Sequence, residues 1–124
     1  MQKIILLSAS ALGAISVMIG AFGAHALKAS LEASGRLDTF ETAVKYQFYH
    51  TLALLAIGLL MYKLNDKLLG YAGYSMIGGV LIFSGSLYIL CLSGIRWLGA
   101  ITPIGGLLMI LGWVLLFWAI VRAS

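Results

Sequence analysis

An all-α membrane protein, a four-transmembrane-helix antiparallel bundle, is the fold this sequence predicts, and three observations predict it. Of its 124 residues, 62% are hydrophobic and only 10% charged, whereas a soluble domain carries about 25% charge; the mean hydropathy is +1.06. The apolar residues gather into four runs, at about 4–24, 43–62, 68–92 and 99–121. Each run has the roughly 20 residues that a helix needs to cross a bilayer, and the length leaves no room for a fifth crossing or a second domain.

The first run, Ile4 to Ala24, is uncharged. Lys3 ahead of it and Ala24-His25-Ala26 behind it imitate a secretory signal and its cleavage site. The run exceeds a signal core of about 7–15 residues and the rest of the chain is equally apolar, so a retained first span is expected. Lys28 to Glu41 then collects Lys28, Glu32, Arg36, Asp38 and Glu41. Leu27 and Leu31, one helical turn apart, predict a short amphipathic helix in the interface, with Gly35 at its C-terminal cap. Asp38 and Glu41 have the spacing of a capping box, which predicts a second helix starting near Thr39. That helix enters the apolar layer near Ala43 and leaves it near Tyr62.

Lys63 to Lys67, with Asn65 and Asp66, is a hairpin too short to let the flanking helices be anything but antiparallel neighbours. The third span follows as Leu68 to Leu92. Ser93, Gly94 and Arg96 form another turn, with Trp97 as an interfacial anchor. The fourth span runs from about Gly99 to Val121 and stops at Arg122. Pro103 falls in its first turn, where a missing N–H costs nothing.

A pI of about 9.4 and a net charge of +4 come from cations scattered singly, with no basic run to follow phosphates, which excludes nucleic-acid binding. Cys91 is the single cysteine, so no internal disulfide can form. Lys3, Lys63, Lys67 and Arg122 on one side balance Lys28, Arg36, Lys45 and Arg96 on the other. The α-amino group breaks the tie and sets the expectation of a multi-pass protein of the cell's inner or plasma membrane with cytoplasmic termini.

Threading the four runs alternately places the uncommon residues at one level. His25 closes the first span; Tyr46, Gln47, His50 and Thr51 open the second; Ser84, Ser86 and Tyr88 close the third; Thr102 and Pro103 open the fourth. All belong to the leaflet on the Lys28–Glu41 side. At 1.5 Å per residue, His50 lies about 10 Å inside the apolar boundary and Ser84 at a similar depth. Tyr46, Gln47 and His50 span about 100° of one face, continued by Leu54 and Gly58, and that face is expected to turn inward. Ser84, Tyr88 and Cys91 likewise share a face. His25, Tyr46, Gln47, His50, Thr51, Ser84, Tyr88 and Thr102 are therefore the candidate polar pocket. Two readings stand open. Such residues act as glue between helices at about 0.6 kcal/mol each, or they line a small cavity holding a polar solute, a lipid headgroup or water. Ser16, Gly20 and Ala24 repeat at four-residue spacing, and Gly85, Gly105 and Gly106, with Gly78 and Gly112, offer flat surfaces on the last two spans, as close helix packing needs.

Gly-Ala-Phe-Gly-Ala-His at 20–25, Tyr46-Gln47 with His50-Thr51, Phe83-Ser84-Gly85-Ser86-Leu87-Tyr88 and Thr102-Pro103-Ile104-Gly105-Gly106 resemble the signatures of the domain-of-unknown-function family 423. Its eukaryotic relatives are called transmembrane protein 256. The likeness covers almost the whole chain with four ordered motifs. It implies a four-helix protein of the bacterial inner membrane and implies no activity, so function is argued from the residues.

Enzyme readings have little behind them. Ser84 and His50 could form a hydrolase dyad, but no acid orients the histidine, and Phe83-Ser84-Gly85 lacks the glycine two residues before the serine seen in rhomboid proteases. Haem ligation by His25 and His50 meets a mismatch in depth, and zinc needs about three protein ligands, which this chain does not assemble. Small multidrug-resistance transporters share the size, but they rely on a membrane-embedded glutamate, and no span here holds an acidic residue. His50 would have to carry the proton. The expectation is a non-enzymatic binding, scaffolding or assembly component without catalytic residues, cofactor or metal, with membrane lipids as partners and with self-association through its glycine faces. The alternative is a small-solute or drug transporter or channel working as an oligomer.

Overall fold

The computed structural model describes residues 1–123. It contains five α-helices: α1 (Gln2–Ala24), α2 (Lys28–Ala33), α3 (Leu37–Leu60), α4 (Lys67–Ser93) and α5 (Thr102–Arg122), with a 3₁₀ turn at Arg96–Ala100. The four long helices, the last counted with its 3₁₀ turn, are long and apolar enough to cross a membrane. The protein is thus an all-α, four-span membrane protein.

The connection between α1 and α3 is built from backbone geometry. α2 turns Leu31 inward, leaving it 2% exposed. Gly35, at φ +72°, ends the helix: its N–H donates to Glu32 O (3.1 Å) and the Arg36 N–H to Leu31 O (2.9 Å). That is the paired bonding of a Schellman motif, and glycine suits it because the left-handed conformation carries no Cβ penalty.

This ending corrects the expected capping box. α3 starts at Leu37, its N-cap Arg36 makes no side-chain cap bond, and Asp38 sits within the first turn. Because Gly35 redirects the chain so abruptly, the helix is already under way at Asp38. Its carboxylate therefore complements the helix dipole instead of capping, while its carbonyl accepts from Thr42 Oγ1 at 2.9 Å.

At the opposite membrane side Asp66 caps α4, its Oδ1 accepting from the Leu68 N–H at 2.9 Å. α4 ends at Gly94, with φ +74°. The fourth span does not begin as α-helix at Gly99. Residues 96–100 form the 3₁₀ turn, and α5 begins at Thr102. Pro103 has no N–H to extend an earlier helix and so falls where a new helix loses nothing.

The spans pack in the order α1, α3, α4, α5, each antiparallel to the next. Gly58 lies beside Ile5 and Leu6, and Gly23 against the Phe40 ring, which joins the start of α1 to the end of α3 and the end of α1 to the start of α3. Arg36 O lies near Cys91 Sγ, and Ala43 O near Ser84 Oγ. Between α4 and α5 the backbones themselves meet. A Cβ at Gly105 would run into the Phe83 backbone and Gly79 O, and one at Gly79 would lie 2.8 Å from both Gly105 O and the Met109 N. The central helices are the more enclosed: 44% of the apolar window of α3 and of α4 is buried, against 17% for α1 and 22% for the last span. Ile5, Leu54, Ile57, Leu69 and Met76 form the core nearest the chain ends; Leu31, Phe40 and Cys91 form a second under the α2 side.

Not every small residue packs as expected. Ser16 is fully buried, but Ala24 is exposed, and a Cβ on Gly85 would meet nothing within 4 Å. Gly20 and Gly106 stand at ordinary contact distance from Val44 and Phe83. Spacing identifies a small face without revealing which neighbour it meets, and Gly79, which the sequence reading passes over, makes one of the closest approaches.

Candidate loop-side polar cluster

Eight side chains toward this end of the bundle make hydrogen bonds that fall into three sets, a finer arrangement than one pocket. The first set centres on Gln47, which is 2% exposed. Its Nε2 donates to Leu12 O on α1 at 3.3 Å, and its Oε1 accepts from the Tyr88 hydroxyl of α4 at 2.5 Å. Side chains on a helix tilt toward its N-terminus. Tyr88 therefore projects deeper into the bilayer than its own Cα, to the level of Gln47. Its ring also packs at 5.5 Å from that of Phe40. One turn along, Thr51 Oγ1 donates to Gln47 O at 2.6 Å, and Ser84 Oγ donates across the α3–α4 interface to Ala43 O at 2.7 Å.

The second set is His50 and Trp113. The indole N–H of Trp113 on α5 donates to His50 Nε2 at 3.0 Å. An indole can only donate, so Nε2 is the bare nitrogen and Nδ1 bears the proton, which it gives to Tyr46 O at 2.8 Å. The geometry therefore assigns His50 as a neutral imidazole. The two rings meet edge-on with centroids 5.8 Å apart.

The third set joins α4 to α5: Ser86 Oγ and Thr102 Oγ1 are 2.6 Å apart. Ser86 also donates to Phe83 O, and Thr102 lies near Leu98 O. A separate bond, Ser75 Oγ to Leu108 O at 2.6 Å, fastens the same helix pair nearer its middle.

The structure buries Gln47, His50, Thr51, Ser84 and Thr102 and half-buries Tyr88. It does not bring His25 or Tyr46 into the cluster as side chains. His25 is exposed at the C-cap of α1, where that helix ends before α2 begins at Lys28. Tyr46 is 41% exposed and stacks on Phe83, centroids 4.9 Å apart; what it contributes is its carbonyl. Gln47, Ser84 and Tyr88 edge a groove of about 200 Å³ together with Leu12, Ile15, Ile19 and Val80, and its walls are mainly hydrocarbon. Trp113 is the hydrogen-bonding partner of His50 that sequence reading does not find. The signal was present: a Trp in mid-span lies far from the interfacial belt, and its N–H must find an acceptor.

Among the described residues no group of three or more His, Cys, Asp or Glu could hold a metal ion. No buried side-chain nitrogen or oxygen among them lacks a hydrogen-bond partner.

Fold and cluster together define a small integral membrane protein of four spans whose polar residues face inward on one side. Comparison with known proteins makes the class specific: the chain belongs to the family described as Protein of unknown function (DUF423), whose model matches residues 19–106. It is similar to the UPF0382 membrane protein SSP2132 of Staphylococcus saprophyticus, at 48% identity over 109 residues, covering 85% of this chain and 89% of that one. To the UPF0382 membrane protein YwdK of Bacillus subtilis the identity is 41% over 120 residues, covering 90% and 94%. No solved structure matches the chain.

Proposed function

We propose that this protein is a non-enzymatic component of the bacterial cell membrane that works by binding or scaffolding, and that its loop-side polar cluster fixes the register of the helices. One observation carries the reading: among the described residues every buried side-chain nitrogen and oxygen has a hydrogen-bond partner within the chain. A general base, nucleophile or proton carrier needs an atom free to meet a substrate or water. Both nitrogens of His50 are engaged, by Tyr46 and Trp113, and the Ser84 hydroxyl is directed to Ala43 O. The serine and histidine are thus not paired as a hydrolase dyad requires. In place of a reacting centre the bonds link α1 to α3, α3 to α4, α3 to α5 and α4 to α5. The surface available for scaffolding lies on the terminal spans, where Leu107, Phe117 and Trp118 of α5 stand outward.

The test is proton-linked uptake in proteoliposomes, comparing the native chain with His50→Ala. Equal fluxes together with a lowered unfolding midpoint in detergent are expected. A flux present in the native chain and abolished in the variant would replace this reading with transport.

A further inference from the structure

A second cavity, of about 260 Å³, lies apart from the polar cluster, between the loop-side ends of α1 and α3 and the start of α2. Its walls are apolar where Gly20, Leu37, Phe40 and Val44 meet it, and its rim carries Lys28, Glu41 and Lys45. Two features of the backbone make it. Gly23 is pressed against the Phe40 ring, which closes the helices together at one point, while at Gly20 a Cβ would still stand 3.5 Å from Val44. The helices are therefore close without being sealed. Lys28, Glu41 and Lys45 are all exposed, and the ion pair among the described residues is Arg122 with Asp66, at the other membrane face. The rim charges are thus free of one another, with one positive charge in excess.

We infer that this groove binds an anionic glycerophospholipid. Its phosphate is drawn to Lys28 and Lys45, and the first part of an acyl chain lies along Gly20, Val44 and Phe40. The chemistry favours a lipid over a free solute on three counts. The volume is below the roughly 300–1,000 Å³ of sites that enclose a drug-sized molecule. The cavity is partly open, and its apolar lining lies on the spans α1 and α3, as a chain continuing into the bilayer needs. The cations stand at the ends of the spans, at headgroup level, where Lys attracts anionic lipid. The site is independent of the polar-cluster reading, since none of its lining residues belongs to that cluster.

The experiment exchanges the purified protein into nanodiscs of equal phosphatidylglycerol and phosphatidylcholine, then measures by native mass spectrometry which lipid stays bound after detergent release. The native chain is expected to retain phosphatidylglycerol preferentially. Lys28→Gln with Lys45→Gln lowers that preference about thirtyfold, the loss expected when two lysines near an anionic headgroup are neutralised. Glu41→Gln, which removes the rim's carboxylate, raises it. Lys63→Gln with Lys67→Gln, the same charge change at the other membrane face, leaves it unchanged. Gly20→Leu fills the groove and abolishes retention while helicity by circular dichroism is kept. Equal retention of the two lipids by the native chain overturns the proposal. So does an equal loss in the two lysine pairs, which would reduce the effect to net charge, or undiminished retention in a helical Gly20→Leu chain.

Discussion

Trp113 and His50 illustrate how a single buried bond settles a chemical question. The indole N–H fixes the histidine tautomer and leaves neither ring nitrogen without a partner. Trp113→Phe keeps an aromatic ring but strips His50 Nε2 of its donor. The expected cost is about 0.6 kcal/mol and at most about 1.7, the range of bonds between membrane helices, read as a lower unfolding midpoint in mixed micelles. Gln47 and Tyr88 make a bond of the same kind and call for the same range. Tyr88→Phe and Gln47→Leu should each destabilise by that order, and the double variant by less than their sum, because both remove the same contact. Strict additivity in the cycle would mean that the short Tyr88–Gln47 bond contributes nothing.

Helices α4 and α5 meet where particular side chains are missing. In lipid, hydrocarbon gains nothing by leaving its solvent, so backbone approach and polar contacts take over the role of the hydrophobic effect. The α4–α5 pair depends on Gly79, Gly105 and Gly112, where an added methyl would meet backbone or the Met76 and Met109 side chains. Gly105→Ala must push two backbones apart, so a loss of about 1–3 kcal/mol is expected. Gly85→Ala, with open space beside it, should change stability by less than about 0.5 kcal/mol. Parallel thermal unfolding of the two variants checks both, and equal effects would refute the assigned interface. At the other end of α4, Asp66 both caps the helix and pairs with Arg122 at 3.3 Å. Asn caps as well as Asp, so Asp66→Asn isolates the ion pair, whose Arg122 side chain is 56% exposed, and should cost well under 1 kcal/mol. Asp66→Ala also loses the cap and should cost about 1 kcal/mol more.

At the scale of the whole molecule the two central spans are enclosed and the two terminal ones are largely left to the bilayer. The cations that steer insertion are divided four and four between the two faces, so the orientation sits near a balance point. Two lysines added to the Lys63–Lys67 turn should hold that side cytoplasmic. The same two added beside Ser34 should hold the α2 side there instead. Membrane-impermeant thiol labelling of single cysteines at Asn65 and Ser34, in a Cys91→Ser background, distinguishes the two orientations. An orientation indifferent to either insertion would show that something other than loop charge decides it.

Sequence alone determined the four spans, the short helix between the first two, and that His50, Ser84, Tyr88 and Thr102 lie toward the same end of the bundle. Those follow from hydropathy and from alternate threading, both of which can be read one residue at a time. Tertiary structure alone decided the partners. That Gln47 meets Tyr88, that Trp113 closes His50, and that Gly79 and not Gly85 lies against α5 all depend on how helices rotate and cross. In these spans nearly every face is apolar, so a helical wheel carries little information about rotation. His25 and the Asp38–Glu41 pair were misread for a related reason. Both depend on where a helix ends, and in this protein the left-handed Gly35 and the end of α1 at His25 set those positions through backbone conformation.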